Sequence, residues 1–168
     1  MYSFRKSKKG FTLIELMVVV AIIGILALLG LRLYLTQQEK AKQSVVKANA
    51  GTSQTLLQSE LADIGMWATA AAAVLYLNSL APGASGMQNP YDNSPNVLID
   101  GTQIDTTLAA EPASLTGDAA IVAANVGRVL VVRNDNSTEG RPHMLLQGIG
   151  HDSGGNPAVV GEMLMVFK

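Results

Sequence analysis

The sequence predicts an α+β protein, in which a long N-terminal helix packs on a small antiparallel β-sheet head. The first half of that helix is expected to be transmembrane and the second half amphipathic. Three observations support this fold: an almost unbroken apolar run over 11–35, apolar residues at helical spacing over 36–64, and short β-rich runs from residue 119 onwards. With 168 residues, of which 48% are hydrophobic and 15% charged, the chain fits one small domain and one membrane helix.

The first ten residues form a basic leader. They contain four Lys and Arg residues and no acidic residue, and without them eight basic residues face 13 acidic ones, a formal charge of about −5. Basic residues ahead of a membrane span favour a cytoplasmic N-terminus and export of the rest. An ordinary secretory signal has a shorter apolar core that ends in a small-residue cleavage site. Here the plausible cleavage site lies before the apolar run, so the run would stay with the product. A plain single-span membrane anchor remains the alternative.

The apolar run over 11–35 is long enough to cross a membrane. Its 25 residues would form a helix of roughly 37 Å, against a hydrocarbon core of about 30 Å. Gly24 and Gly30 would let neighbouring helices approach closely. Arg32 and Tyr34 suit the outer membrane interface, where a long cation and an amphipathic ring both find water.

Glu15 is the exceptional residue of this run. A carboxylate five residues into a membrane span costs at least a few kcal/mol, so it marks a functional contact by default. The alternative is an acid tolerated near the membrane interface. If the chain were cut after Gly10, the new α-amine of Phe11 would be positive, and Glu15 of one subunit could pair with the amine of a shifted neighbour.

The run GFTLIELMVVVAIIGILA over 10–27 resembles the N-terminal signature of type IV pilins and their relatives, the pseudopilins. The resemblance implies that a membrane-bound prepilin peptidase cuts after Gly10 and that Phe11 is N-methylated. It also implies the register-setting role for Glu15 in assembly, and a head on a helical stalk. The match covers about 18 residues and leaves the rest of the chain to be interpreted from its own pattern. Many type IV pilins close a C-terminal loop with a disulfide, and this sequence has no cysteine.

Beyond Thr36 the pattern becomes amphipathic without a helix breaker. The positions that follow steps of three and four are Ala41, Val45, Ala48, Thr52, Leu56, Leu57, Leu61 and Ile64. Gly65 is a suitable stop signal. We therefore predict one helix from about residue 12 to 64, with this stripe lying on the core of the head.

A second helix is predicted over Trp67–Leu80, an alanine-rich stretch ended by Pro82-Gly83. The following segment, 81–118, is rich in Pro, Gly and Asn. Within it, Asp100-Gly101 lies between two apolar triplets and predicts a two-residue β-hairpin.

The last third of the sequence predicts an antiparallel meander of three or four strands. The β-rich runs are Ile121-Val122, Val129–Val132, Met144–Ile149 and Val159–Phe167. We expect the apolar face of this sheet to receive the helical stripe over 41–64.

Catalytic interpretations are weak. Asp152-Ser153-Gly154-Gly155 resembles the segment around the nucleophile of chymotrypsin-like proteases, but both histidines of the chain lie within ten residues of Ser153. Nucleophilic catalysis needs a base and an orienting acid brought together in space, and a polar turn between strands is the better interpretation. We predict that the protein is not an enzyme and needs no cofactor.

Metal and nucleic-acid sites have little support in the sequence. His143, His151 and Asp152 are a possible metal set, although lone histidines near strand ends are more often surface residues. Calcium could bind at Asp135 and Glu139 or near Asp152, but neither segment has the full ligand spacing of a known loop, so no metal site is assigned. The triplet 136–138 matches a glycosylation sequon. The acidic mature chain argues against nucleic-acid binding.

The functional hypothesis is a structural subunit. The chain is expected to consist of a removed leader over 1–10, a transmembrane or filament-core helix over 11–35, and an exported head over 36–168. It would wait in the cytoplasmic membrane with its N-terminus inside and then polymerise into a surface filament. Its partners would be copies of itself, the peptidase, and an assembly platform with its ATPase. The alternatives are a pseudopilin of a type II secretion system and a membrane-anchored binding module that does not polymerise.

Overall fold

The computed structural model describes residues 10–64, 70–80, 87–95, 97–100, 115, 119–134 and 143–167. The described chain forms three helices and four strands. The helices are α1 (Leu13–Ile64), α2 (Ala70–Leu80) and α3 (Ala119–Ala124), and the strands are β1 (Leu98–Asp100), β2 (Val129–Asn134), β3 (His143–His151) and β4 (Pro157–Val166). The α+β fold class is therefore confirmed. The fold divides into two compact units at Gln38, and the sheet lies in the second.

Helix α1 is continuous over 52 residues, which confirms the predicted helix from about residue 12 to 64. Its first half is apolar on every side and its second half is amphipathic. Helix α2 confirms the later part of the predicted second helix, while Trp67 and the expected stop at Gly65 lie outside the described residues.

The four strands form one mixed sheet in the order β1-β2-β3-β4. Strands β2, β3 and β4 are the predicted antiparallel meander. The expectation of a wholly antiparallel sheet is wrong, because β1 runs parallel to β2. A parallel pair needs a long crossover connection, and 28 residues separate the end of β1 from the start of β2 in the sequence. The second strand of the predicted hairpin across Asp100-Gly101 lies outside the described residues.

The prediction of a strand at Ile121-Val122 is also wrong, because these residues lie in α3. Alanine occupies the other four positions of that helix, and alanine has the highest helix propensity. Two β-branched residues within such an alanine-rich stretch are not enough to form a strand.

Over residues 41–50, the face of α1 that packs on the head differs from the predicted stripe by about one residue, or a rotation of about 100°. Leu57 and Leu61 of that stripe are buried, as predicted. The buried positions are Val46, Asn49, Ala50, Ser53, Leu57 and Leu61. Ala41, Val45 and Ala48 are exposed instead. Two buried polar residues of this face have hydrogen-bond partners. Asn49 Nδ2 donates to the Gln88 carbonyl at 3.0 Å, and Ser53 Oγ donates to the Asn49 carbonyl at 2.8 Å.

Both faces of the sheet are covered. On one face, Val129, Val131, Met144 and Leu146 pack with Leu57 and Leu61 of α1. On the other, Leu130, Val132, Leu145 and Ile149 pack with Leu115 and with Val122 of α3. Strands buried on both sides read as continuous apolar runs, which explains the uninterrupted VLVV and MLL segments of β2 and β3.

Glycines on the sheet allow α1 to approach closely. A Cβ at Gly148 would lie 2.5 Å from Val46 Cγ1, and one at Gly150 would lie 3.4 Å from Gln43 Cγ. On β4, Gly161 has a φ of +84° and lies under the aliphatic part of Lys47. Since distances under about 3 Å are not tolerated, β3 needs glycine at position 148 for this packing.

Candidate processing and assembly segment

The Gly10–Phe11 bond lies ahead of the helix. Residues 10–12 have no regular secondary structure and are exposed, and Phe11 is 76% exposed. A Cβ built at Gly10 meets nothing within 4 Å, so packing in this structure does not account for a glycine here. The Gly10–Phe11 bond is therefore exposed and lies outside the helix.

Thr12 and Glu15 form a capping box at the start of α1. Glu15 Oε2 accepts hydrogen bonds from the Thr12 backbone N–H at 2.9 Å and from its hydroxyl at 2.7 Å. In return, the Glu15 N–H donates to Thr12 Oγ1 at 3.3 Å. This reciprocal arrangement satisfies N–H groups that the first turn of a helix leaves unpaired.

The capping role was missed in the sequence, although its signal was present. A Thr followed three residues later by Glu, directly ahead of an apolar run, is the pattern of a capping box. Glu15 therefore has an intramolecular bonding partner in the single subunit, besides the intermolecular role predicted for it.

The apolar half of α1 is exposed throughout the described subunit. Its most apolar 18-residue window has a mean hydropathy of 2.8 with none of it buried, so the helix can cross a membrane by length and composition. The large side chains over 11–35 are all more than 40% exposed. An exposed apolar surface of this extent indicates contact with lipid or with protein. Cβ atoms at Gly24 and Gly30 would meet nothing within 4 Å.

Four side chains from three segments meet at the start of the second unit. The Tyr91 hydroxyl donates to Glu39 Oε1, and His151 Nδ1 lies 2.8 Å from the same oxygen. The Tyr91 and His151 rings meet edge to face with centroids 5.2 Å apart, and Lys42 Nζ lies 4.9 Å from the Tyr91 ring centroid. This cluster, the Glu39 clamp, ties α1 to loop 87–95 and to the end of β3.

The electrostatics of the clamp favour an ionised Glu39. Burial alone would raise the pKa of Glu39, but hydrogen bonds from Tyr91 and His151 and the attraction of His151 and Lys42 outweigh it, so the pKa is lowered. Burial and the bond to Glu39 raise the pKa of Tyr91. Tyr91 therefore remains a hydroxyl donor at neutral pH.

Replacing Glu39 by glutamine should weaken the head at neutral pH and flatten its response to acid. Because the folded-state pKa of Glu39 is depressed, its contribution to stability is present above the ordinary value of 4.5 and is lost as the pH falls through the folded-state value. We expect Glu39→Gln to lower the free energy of unfolding by about 0.5–1 kcal/mol at neutral pH, a small effect because solvent weakens partly exposed pairs.

Thermal unfolding of the full chain in detergent, followed by circular dichroism over about pH 3–7, measures this effect. The wild type and Glu39→Gln should converge in acid. Glu162→Gln, at an exposed carboxylate on β4, is the control and should follow the wild type throughout. A constant difference between Glu39→Gln and the wild type at every pH would contradict the assignment.

The turn between β3 and β4 is built around Asp152. Its Oδ1 accepts hydrogen bonds from the N–H groups of Gly154 and Asn156, each at 2.8 Å, and the backbone bond from Asn156 is the main cause of the lowered pKa of Asp152. This confirms a polar turn between strands at Ser153. One oxygen of this calcium candidate is thus already engaged by the turn.

The other metal candidates are not brought together. His143 is buried and stacks on Phe167, with ring centroids 5.2 Å apart, while His151 belongs to the Glu39 clamp. Within the part of the chain that the structure describes, no three His, Cys, Asp or Glu residues are grouped as metal ligands. Asp135, Glu139 and the sequon over 136–138 lie outside the described residues.

Comparison with known proteins bears on the N-terminal segment. A family model described as the prokaryotic N-terminal methylation motif matches residues 5–31. The chain carries this motif at its N-terminus. This confirms the resemblance stated for the run 10–27, and the matched segment includes the capping box and most of the apolar half of α1.

Three curated relatives are similar to the chain over part of their length. Fimbrial protein EcpB of Eikenella corrodens is 49% identical over 59 residues, which are 35% of this chain and 37% of that protein. Fimbrial protein EcpC of the same organism is 37% identical over 90 residues, or 49% and 59%. The type IV major pilin protein PilA of Myxococcus xanthus is 46% identical over 56 residues, or 33% and 26%.

The chain therefore spans between about a quarter and six tenths of the length of these relatives. No solved structure matches the chain. The family model covers only residues 5–31, and the head is interpreted from its own contacts.

Proposed function

We propose that the protein is a type IV pilin, a structural subunit that polymerises through its N-terminal helix into a surface filament. One observation carries the proposal: an accessible Gly10–Phe11 bond directly precedes a membrane-length apolar helix, which has its acid, Glu15, in the first turn. The chain's similarity to fimbrial proteins and to a type IV major pilin supports the proposal. No catalytic role is proposed.

Processing is proposed at the Gly10–Phe11 bond. The leader over 1–10 is removed by prepilin peptidase, and Phe11 becomes the N-methylated first residue. Because no packing contact accounts for glycine at position 10, the requirement for it is assigned to the peptidase.

Assembly is proposed to follow storage in the cytoplasmic membrane. The helix over 11–35 waits in the bilayer with the N-terminus inside, and the head over 36–168 is exported. An assembly platform and its ATPase extract the subunit, and copies of the helix replace lipid around one another. Glu15 then exchanges its bonds to Thr12 for the α-amine of a neighbour, which fixes the register between subunits.

The test is mass spectrometry of the N-terminus in material sheared from cells and in washed membranes. We expect N-methylated Phe11 to be abundant in the sheared fraction. The same processed terminus confined to membranes would favour a pseudopilin of a type II secretion system. An intact Met1 in both fractions would contradict the family's processing and leave a membrane-anchored module that does not polymerise.

A further inference from the structure

Among the described strands, β1 lies at one end of the sheet, and its outer edge is occupied by a side chain. Asn78 of α2 donates from Nδ2 to the Leu98 carbonyl at 3.2 Å and accepts from the Leu98 N–H at 3.4 Å. The two bonds run in opposite directions between one side-chain amide and one residue's backbone. This is the pairing that a residue of a neighbouring strand would make.

The strand register shows that these Leu98 groups face away from the sheet. Leu98 is paired with Val129 in the parallel ladder, and the Val129 N–H donates to the Val97 carbonyl at 2.6 Å. In such a ladder the neighbours of Leu98 bond to Val129, so the groups of Leu98 itself point outward. An outward N–H and C=O on an edge strand form a template for a strand of another molecule.

We propose that Asn78 blocks this edge and so prevents a second copy of the chain from pairing with β1. The proposal concerns β-association between heads, which is distinct from helix-mediated assembly. A subunit held at high local density with its own copies, as proposed above, would bring such edges together often. A side-chain amide bound to Leu98 removes the donor and the acceptor that a second strand needs.

The strand at the opposite end of the described sheet, β4, also has backbone carbonyls that are bonded to side-chain amides. On β4, the Met165 carbonyl accepts a hydrogen bond from Gln54 of α1 at 2.9 Å. The ladder is interrupted between Leu146 and Gly148, where Gln147 donates to the Gly161 carbonyl at 3.0 Å. Bulges and capped carbonyls make a strand edge a poor template. A side-chain amide from a helix therefore bonds to the backbone of each outer strand, Asn78 of α2 to β1 and Gln54 of α1 to β4.

Amide hydrogen exchange in the full chain, solubilised in detergent and observed by NMR, tests the blocking bond itself. In Asn78→Ala we expect the Leu98 N–H to exchange at least about tenfold faster than in the wild type, because its acceptor is gone. The Val129 N–H, bonded inside the ladder, should keep its protection. A Leu98 N–H that stays protected in Asn78→Ala would overturn the proposal, since another group would then cover the edge.

Association is tested by light scattering and thioflavin T fluorescence at a temperature where each variant remains folded. Asn78→Ala should associate into β-rich species, and Asn78→Asp should stay dispersed, because a charge at a strand edge opposes pairing. Asn49→Ala is the matched control: it also loses a helix amide bonded to a backbone carbonyl, but away from a strand edge. Equal association of Asn49→Ala and Asn78→Ala would overturn the proposal, as would an Asn78→Ala protein that stays dispersed.

Discussion

Replacing Glu15 by glutamine is expected to abolish surface filaments while the precursor still enters the membrane. Glutamine is accepted at this position of a capping box, so the start of α1 should be preserved. Only the charge is lost. The α-amine of a neighbouring Phe11 would then enter hydrocarbon without its counter-ion, at a cost of several kcal/mol. We expect filament yield to fall by at least about a hundredfold, because a factor of one hundred needs only about 2.8 kcal/mol at 1.4 kcal/mol per factor of ten.

The matched control is Thr12→Ala, which removes the cap and keeps the charge. Losing an N-cap costs about 1 kcal/mol, so the first turn of α1 should fray while filaments persist. Immunoblots of sheared and membrane fractions give the yield, and mass spectrometry shows whether each variant is processed. Wild-type filament yield from Glu15→Gln would show that the cap, and not the charge, is the function of Glu15.

Replacing Gly148 by alanine is expected to destabilise the head by about 1–3 kcal/mol, the usual effect of overpacking a core. The added Cβ would lie 2.5 Å from Val46 Cγ1 and 3.4 Å from the Val160 carbonyl oxygen. Either α1 must move away from the sheet or β3 must bend. In thermal unfolding we expect Tm to fall by about 4–10 °C.

The chain offers a rescue and a control for this substitution. Val46→Ala removes the methyl groups that clash, so the double variant should be more stable than the sum of the single effects predicts, by about 1 kcal/mol or more. Gly51→Ala is the control, because a Cβ at this helical glycine meets nothing within 4 Å. It should raise stability by about 0.5–1 kcal/mol. Additive effects of Gly148→Ala and Val46→Ala would mean that the two residues do not make the limiting contact.

The long helix and the meander could be predicted because their signals are local. An apolar run and a stripe at steps of three and four mark α1, and β-branched runs between turn residues mark β2, β3 and β4. The packed face of α1 was not predictable in the same way. Its hydrophobic pattern favours Val45, but the partner surface is shaped by Gly148 and accepts Asn49 and Ser53 through hydrogen bonds that the sequence does not reveal.

In the candidate site, too, the features formed by neighbouring residues could be predicted and those formed by distant residues could not. The Gly10–Phe11 bond, Glu15 and the capping box are encoded within six consecutive residues, so sequence could locate all of them. The Glu39 clamp joins residues more than 50 and more than 100 positions apart, and nothing local marks Glu39 as different from another surface acid. The parallel direction of β1 likewise depends on a crossover connection, which no local pattern in the sequence marks.

The burial of β2 and β3 on both faces limits how this protein can vary. A polar or charged substitution at almost any position of these strands would meet apolar neighbours, whichever side it faced. Natural variants under pressure to alter their outer surface would have to find their changes elsewhere, such as the turn around Ser153 and the outer side of α2 near Leu75, both of which are exposed. The sheet would then act as a conserved frame, and diversity would accumulate at its turns.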